Sequence, residues 1–94
     1  MQAARLRLVI TGRVQGVGFR AFLAREGVRL GLTGWARNLE DGRVETEFAG
    51  AAGAVEEMRA ACGRGPAHAR VERVDSLAPG AGPLPSPFAV RRDA

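Results

Sequence analysis

The sequence contains no lysine: all 14 of the basic Lys and Arg side chains among its 94 residues are arginines. This absence excludes any mechanism that needs a catalytic lysine, including the lysine of a Walker-type phosphate loop. The chain also has a single cysteine, Cys62, so no intramolecular disulfide can form, in agreement with a reducing compartment. No histidine or acid lies at helical spacing from Cys62, which is therefore predicted to be a small core residue and not a nucleophile.

Long apolar runs are missing as well. No stretch approaches the roughly 20 residues that a membrane helix needs, and no signal-peptide pattern opens the chain. We therefore expect a cytoplasmic protein without a membrane partner. A length of 94 residues and an apolar fraction of 46% suit a single domain, residues 1–94, with one modest core. The net charge of +4 favours anionic partners in a general way.

Hydrophobic periodicity divides the chain into strands and helices. Strands are predicted at residues 5–11, 33–38, 44–48, 70–77 and 88–92, and helices at residues 20–30 and 51–63. The Asp41-Gly42 turn signal makes the second and third strands an antiparallel hairpin. The order βαββαβ, with an extra final strand, predicts an α/β (α+β) ferredoxin-like sandwich, in which two helices cover one face of a four- to five-stranded, mostly antiparallel sheet. The first and third strands would then lie in the middle.

A glycine-rich stretch, residues 12–20, joins the first strand to the first helix. Its glycines permit positive φ angles that other residues resist. A loop of this kind at a helix start can turn its backbone N–H groups into an anion-binding concavity, to which the helix dipole adds positive charge. Arg20 places a planar cation on the first helical turn, where it opposes the dipole unless an anion lies beside it. The stretch has the composition of a phosphate cradle.

Other interpretations of these residues compete. Residues 16–21 satisfy the dinucleotide fingerprint G-x-G-x-x-A, but the acids about twenty residues further on lie in a hairpin turn, and the chain is too short for two mononucleotide-binding halves. A plain turn before a helix stays open on spacing alone. Taken alone, Asn38, at the end of the second strand, is best interpreted as a turn residue, although its amide can also donate to and accept from a water.

Taken together, the motifs at residues 12–20, 30–38 and 41–45 match the acylphosphatase family in order and spacing, and the chain resembles that family over almost its whole length. The resemblance implies metal- and cofactor-independent hydrolysis of the carboxyl-phosphate bond of small acylphosphates to carboxylate and inorganic phosphate. It implies two catalytic residues, Arg20 binding the substrate phosphate and Asn38 orienting the attacking water. It implies that the backbone of residues 14 to 19 forms the phosphate cradle, so the phosphate-binding residues are Val14, Gln15, Gly16, Val17, Gly18, Phe19 and Arg20.

Two positions depart from the common family residues. Gly18 stands where many members carry an aromatic residue, and Ala36 where valine is common. A glycine at position 18 would loosen the cradle, whereas neither change touches the two catalytic positions.

A binding module is the alternative functional class. Ferredoxin-like sheets that bind RNA display aromatic side chains on their open face. Here the residues expected to point outward from the first and third strands are Val9, Thr11, Glu45 and Glu47, so nucleic acid is not an expected partner. A phosphate-binding module without turnover is the second alternative. A monomer is expected, and inorganic phosphate or a similar anion is expected to be able to occupy the loop.

The remaining polar and aromatic candidates have ordinary structural interpretations. His68, the single histidine, is predicted to be a surface loop residue and not a general base. Trp35 is predicted to pack in the core. Arg13, Arg37 and Arg43 either steer an anionic substrate or form a solvated basic face, and the sequence favours neither interpretation.

Overall fold

The computed structural model describes residues 2–92 of the chain. Its elements are β1 (Ala3–Arg13), α1 (Phe19–Arg29), β2 (Thr33–Asn38), β3 (Val44–Ala51), α2 (Ala52–Arg64), β4 (Arg70–Leu77) and β5 (Ala89–Val90). The strands form one five-stranded sheet in the order β4-β1-β3-β2-β5. All neighbouring strands are antiparallel except β5, which runs parallel to β2. The predicted ferredoxin-like α+β fold, with β1 and β3 in the centre, is confirmed.

The first strand does not end at Gly12, as the sequence suggested. It continues to Arg13 because the register between β1 and β4 shifts between Thr11 and Gly12, a bulge that keeps the two strands paired. Gly12 has a φ of 137°, and a Cβ atom there would lie 2.1 Å from the carbonyl oxygen of Arg70. This close approach requires glycine, so the residue that looked like a strand terminator lets β1 carry on to the start of the phosphate loop.

The main core lies between the helices and the sheet. Its fully buried side chains include Leu8, Ile10, Leu23, Phe48 and Met58. Phe88 joins this core from the C-terminal segment, and its ring fills a slot between two glycines. A Cβ atom at Gly27 would lie 2.5 Å from the Phe88 ring, and one at Gly34 would lie 2.8 Å from it. Phe88 therefore fixes β5 against α1 and β2, which brings the residues after it to the mouth of the phosphate loop.

The opposite face of the sheet is covered, which corrects the expectation that its residues point into solvent. Val9, Glu45 and Glu47 lie on this face, but only 4%, 2% and 3% of them, respectively, is exposed. The proline- and glycine-rich segment 78–87 crosses the face: the backbone N–H of Gly80 donates to Glu47 Oε2 at 2.7 Å. From β1, Arg5 Nε donates to the same oxygen at 2.7 Å.

Trp35 is buried, as predicted, and it packs on this covered face of the sheet. It stands opposite Glu47 in the β2–β3 register and is 6% exposed. The guanidinium carbons of Arg37 and Arg91 lie 5.3 Å and 5.0 Å from its ring centroid. Both distances are in the range of cation–π contacts, so Trp35 gives the arginines of this face a surface on which to stack.

Glu45 should make the stability of the fold depend on pH. Its carboxylate accepts from Arg7 Nε and from Arg37 Nε, both at 2.7 Å. Burial raises the pKa of Glu45, but the hydrogen bonds and charges of Arg37 and Arg7 together outweigh burial and hold this pKa below its ordinary value of 4.5. A pKa lowered by folding contributes stability that is complete above the ordinary value and is lost as the pH falls through the folded value.

We therefore expect the free energy of unfolding of Glu45→Gln to lie below that of the unsubstituted chain at neutral pH, and the gap to narrow as the pH falls below about 4.5. Urea unfolding at a series of pH values measures this gap. Glu72→Gln removes an exposed carboxylate from β4 and serves as the matched control. A gap that stays constant from neutral to acidic pH would contradict the prediction.

Candidate active site

A cleft of about 230 Å³ opens where the loop between β1 and α1 meets the end of β2. The lining residues are Val14, Gln15, Gly16, Gly18, Phe19, Arg20, Ala21, Asn38 and Val90. The strand order explains the meeting. Because β1 and β2 are both antiparallel to the β3 strand between them, they run parallel to each other and end at the same edge of the sheet. Residues from two distant motifs, Arg20 and Asn38, therefore line one cleft.

The loop leaves a row of backbone donors unused. Gly16 and Gly18 have φ angles of 74° and 76°, and Gly18 is the left-handed N-cap of α1. Within residues 2–92, the backbone N–H groups of residues 15–18 donate to no protein acceptor, and the first turn of α1 contains no acidic residue. These donors and the positive end of the helix dipole lie beside a cleft that an anion can enter.

The apolar side chains of the loop anchor it from behind. Val14 and Phe19 are 1% and 2% exposed and belong to the helix-side core, and Val17 packs against the same core without lining the cleft. These three predicted phosphate-binding residues therefore have side chains that hold the loop in place. Any contact they make with an anion comes from their backbone.

Arg20 is half-buried at the cleft and is attached to the C-terminal segment. Its Nη1 donates to the carbonyl oxygen of Arg91 at 2.9 Å. The backbone N–H of Arg91 in turn donates to the carbonyl of Ala36 at 2.8 Å, which fixes this segment to β2. Sequence reasoning missed this partner, because a main-chain carbonyl acceptor leaves no mark in the identity of its residue.

Asn38 is the last residue of β2 and is 9% exposed. Its backbone pairs with Val44 of β3, and no non-glycine residue between 2 and 92 has a positive φ. The left-handed geometry that would favour a simple turn role is therefore not used here. No hydrogen bond within the described residues involves the Asn38 carboxamide, so the side chain reaches the cleft with its donor and acceptor atoms uncommitted to protein.

Gln15 uses its side chain in a way that the sequence did not indicate. Its Nε2 donates to the carbonyl oxygens of Leu39 at 2.8 Å and of Arg43 at 3.0 Å, which lie on the two sides of the β2–β3 turn. The loop is thus hydrogen-bonded to the hairpin that carries Asn38.

The other candidate residues stand apart from the cleft. Cys62 is completely buried, and burial raises its pKa to about 12, so its predicted core role is confirmed. His68 is exposed in the connection before β4, as predicted. Arg37 is paired with Glu45, and Arg43 Nε donates to Asp41 at 2.8 Å. Between residues 2 and 92, no three His, Cys, Asp or Glu side chains gather as metal ligands, and no helix is long and apolar enough to span a membrane.

Known proteins resemble this chain in sequence and in fold. The acylphosphatase family model matches residues 6–80. An acylphosphatase from Rubrobacter xylanophilus is 54% identical over 74 residues, which cover 79% of this chain and 67% of the relative. One from Azorhizobium caulinodans is 49% identical over 85 residues, 90% of this chain and 91% of the relative. The crystal structure of acylphosphatase from Bacillus subtilis aligns with a TM-score of 0.85 at 30% identity, over 96% of this chain and 99% of that chain. The chain therefore belongs to the acylphosphatase family, and its enzymatic activity is that of an acylphosphatase.

Proposed function

We propose that this cleft is where acylphosphates are hydrolysed, with the phosphoryl group held by residues 14–20 and the attacking water oriented by Asn38. One observation carries the proposal: the same small cleft is bordered by Arg20, by Gln15, Gly16 and Gly18 with their uncommitted backbone N–H groups, and by Asn38 with its uncommitted carboxamide. Donors and a guanidinium suit the equatorial oxygens of a phosphoryl group. A carboxamide at the same cleft can both donate to and accept from a water.

Hydrolysis of an acylphosphate needs few catalytic groups from the protein. An acylphosphate is already activated, because its leaving group is a carboxylate. The water oxygen forms a bond to phosphorus while the bond from phosphorus to the carboxyl oxygen breaks, so catalysis rests on positioning and on charge stabilisation. Arg20 and the loop N–H groups offset charge on the phosphoryl oxygens, and Asn38 places the water in line with the leaving oxygen.

The proton of the water goes to a substrate oxygen in this proposal. The Asn38 amide is too weakly basic to take it. Among the described residues that line the cleft, none has a carboxylate or an imidazole. The proposal also assigns no role to a metal or cofactor, since Arg20 and the backbone donors supply the positive charge that phosphoryl transfer needs.

We further propose that residues 1–94 act as one monomeric cytoplasmic domain, with small acylphosphates as substrates and inorganic phosphate able to occupy the loop. The single-domain part of this proposal is supported by the described strands, which form one sheet whose helix-side face holds one continuous core. Sedimentation of the purified chain with and without phosphate tests the monomer, and a dimer at micromolar concentration would exclude it.

Hydrolysis of benzoyl phosphate, measured with a chelator present and across a range of pH, tests the proposed chemistry. We expect phosphate release that the chelator leaves unchanged. The pH dependence of kcat/KM should show no essential enzyme base near neutrality, and His68→Gln should give the same profile as the unsubstituted chain. Loss of activity with chelator, or a neutral pKa that His68→Gln abolishes, would overturn the mechanism. Phosphate binding without turnover would identify a non-catalytic binding module instead.

A further inference from the structure

The Gln15 side chain connects two parts of the cleft that are distant in the sequence. Its amide nitrogen donates to two carbonyls, that of Leu39, 24 positions away, and that of Arg43, 28 positions away. An amide NH₂ has two protons to donate, so both are used in this one contact. Gln15 itself lines the cleft from the phosphate loop, whereas both acceptors belong to the hairpin that carries Asn38.

The two acceptors already close the turn between β2 and β3. The backbone N–H of Leu39 donates to the carbonyl of Arg43 at 2.8 Å, and that of Gly42 donates to the carbonyl of Leu39 at 3.2 Å. Since a carbonyl oxygen has two lone pairs, each can also accept from Gln15. The Gln15 amide therefore binds the turn as a preformed unit, and its loss leaves both carbonyls with a partner, so the fold should survive.

The position of Asn38 is coupled to this attachment. The β2–β3 ladder ends at the pair Asn38 and Val44, so Leu39 and the turn lie beyond it. The Asn38 carboxamide has no hydrogen bond to protein within the described residues, and its place in the cleft is set by its backbone and by packing. A shift of the hairpin tip relative to the loop would move the water-binding side chain relative to the phosphate-binding donors.

We propose that Gln15 is a positioning residue, whose two hydrogen bonds to the β2–β3 turn fix the distance between the phosphate loop and Asn38. The inference rests on the proposed function of Asn38. It adds to the backbone role in the phosphate cradle that the family resemblance implies for Gln15, since the side chain acts on the hairpin and the backbone is left to act on the anion. A misplacement of about 1 Å in a reacting geometry can cost on the order of 10²-fold in rate, so small shifts at this contact have measurable consequences.

A double-mutant cycle tests the proposal. Gln15→Met keeps the length of the side chain and removes both donors, and we expect kcat for benzoyl phosphate to fall about 10-fold to 10²-fold with little change in inhibition by inorganic phosphate. In the Asn38→Ala background the same substitution should have almost no further effect on kcat, because the group it positions is gone. Equal losses in both backgrounds would overturn the proposal, since Gln15 would then act on the cradle directly.

Two further variants show whether a change in kcat comes from the hydrogen bonds that Gln15 donates. Thr33→Val removes a side-chain hydrogen bond to the carbonyl of Ala49 at the other end of the same hairpin, and kcat should be unchanged. Gln15→Glu keeps the shape and places an oxygen against two carbonyls, so it should lower kcat at least as far as Gln15→Met. If it retains normal kcat, the donated hydrogen bonds are not what matters and the proposal fails.

A readout that does not depend on turnover separates this proposal from the proposed function. The side-chain amide resonances of Asn38 should shift in Gln15→Met and stay in place in Thr33→Val. If Asn38→Ala alone keeps near-normal turnover, the water-orienting role fails, and these resonances alone then decide whether Gln15 positions Asn38. Unshifted Asn38 resonances in folded Gln15→Met would exclude the positioning role.

Discussion

Arg20→Ala should lower kcat/KM for benzoyl phosphate by on the order of 10²–10³, and it should weaken inhibition by inorganic phosphate in parallel. Among the described residues that line the cleft, Arg20 is the one with a charged side chain. Its guanidinium faces a substrate whose phosphoryl charge must be offset in the bound state and in the transition state, so its loss affects both binding and turnover. Steady-state kinetics with phosphate as a competitive inhibitor measure the two effects.

Two matched variants show whether the effect belongs to the guanidinium. Arg20→Lys keeps the charge and loses the planar fork, so its activity should lie between those of Arg20→Ala and the unsubstituted chain. Arg25→Ala removes an exposed arginine from the same helix and should leave both constants unchanged. Because Arg20 also contacts the Arg91 carbonyl, unfolding of each variant must be compared as well. Normal phosphate inhibition in folded Arg20→Ala would exclude the phosphate-binding role.

Asn38→Ala should lower turnover without weakening phosphate binding. We expect kcat to fall by on the order of 10²–10³, as for the loss of a well-placed stabilising donor, while phosphate inhibition stays nearly normal. The carboxamide is proposed to hold the water and not the phosphoryl group, so the substrate still binds when it is removed. Steady-state kinetics and phosphate inhibition again separate the two.

Asn38→Asp is the informative companion to Asn38→Ala. It keeps the shape of the side chain, replaces the donor with an oxygen and adds a negative charge next to the phosphoryl group. We therefore expect both kcat and phosphate affinity to fall, which distinguishes a charge effect from the loss of the water site. Near-normal turnover in folded Asn38→Ala would show that another group orients the water.

The parts of the fold that the sequence predicted are those governed by local pattern. Strand β2 and strand β4 have the predicted bounds, because turn and break residues flank both: Gly31 and the Asp41-Gly42 turn lie on the two sides of β2, and the 63–66 segment and the 78–87 segment lie on the two sides of β4. The covering of the open sheet face was missed because segment 78–87 has no periodicity, and its position depends on contacts distant in sequence, such as that between Gly80 and Glu47. The strand was predicted to end before Gly12 because glycine is common both at strand ends and at bulges, and the sequence does not distinguish the two.

The candidate site also has features that the sequence predicts and features that it does not. Arg20 and Asn38 could be placed together from the sequence, because the predicted strand order sends the ends of β1 and β2 to one edge. The Gln15 contacts and the Arg91 contact could not, because in each case the acceptor is a backbone carbonyl and any residue provides one. These contacts depend on the register of the hairpin and on the course of the C-terminal segment in three dimensions.

The absence of lysine also becomes easier to understand at one place in the structure. Glu45 receives Arg7 on one carboxylate oxygen and Arg37 on the other, with the Nε of each guanidinium at 2.7 Å. Arg37 also lies over the Trp35 ring. A guanidinium can donate hydrogen bonds to a carboxylate from its edge while its flat face stacks on an aromatic ring. An ammonium group has no such face, so it cannot do both in this way.

Titration of the ¹⁵N-labelled chain with inorganic phosphate tests the central claim most directly. The backbone amides of residues 15–20, the Arg20 Nε–H and the Asn38 side-chain amide should shift together along one binding curve, and Arg20→Ala should weaken that curve. If phosphate instead moved resonances of Arg5, Arg7 and Trp35 on the covered face and left the loop unchanged, the cleft would not be the phosphate site.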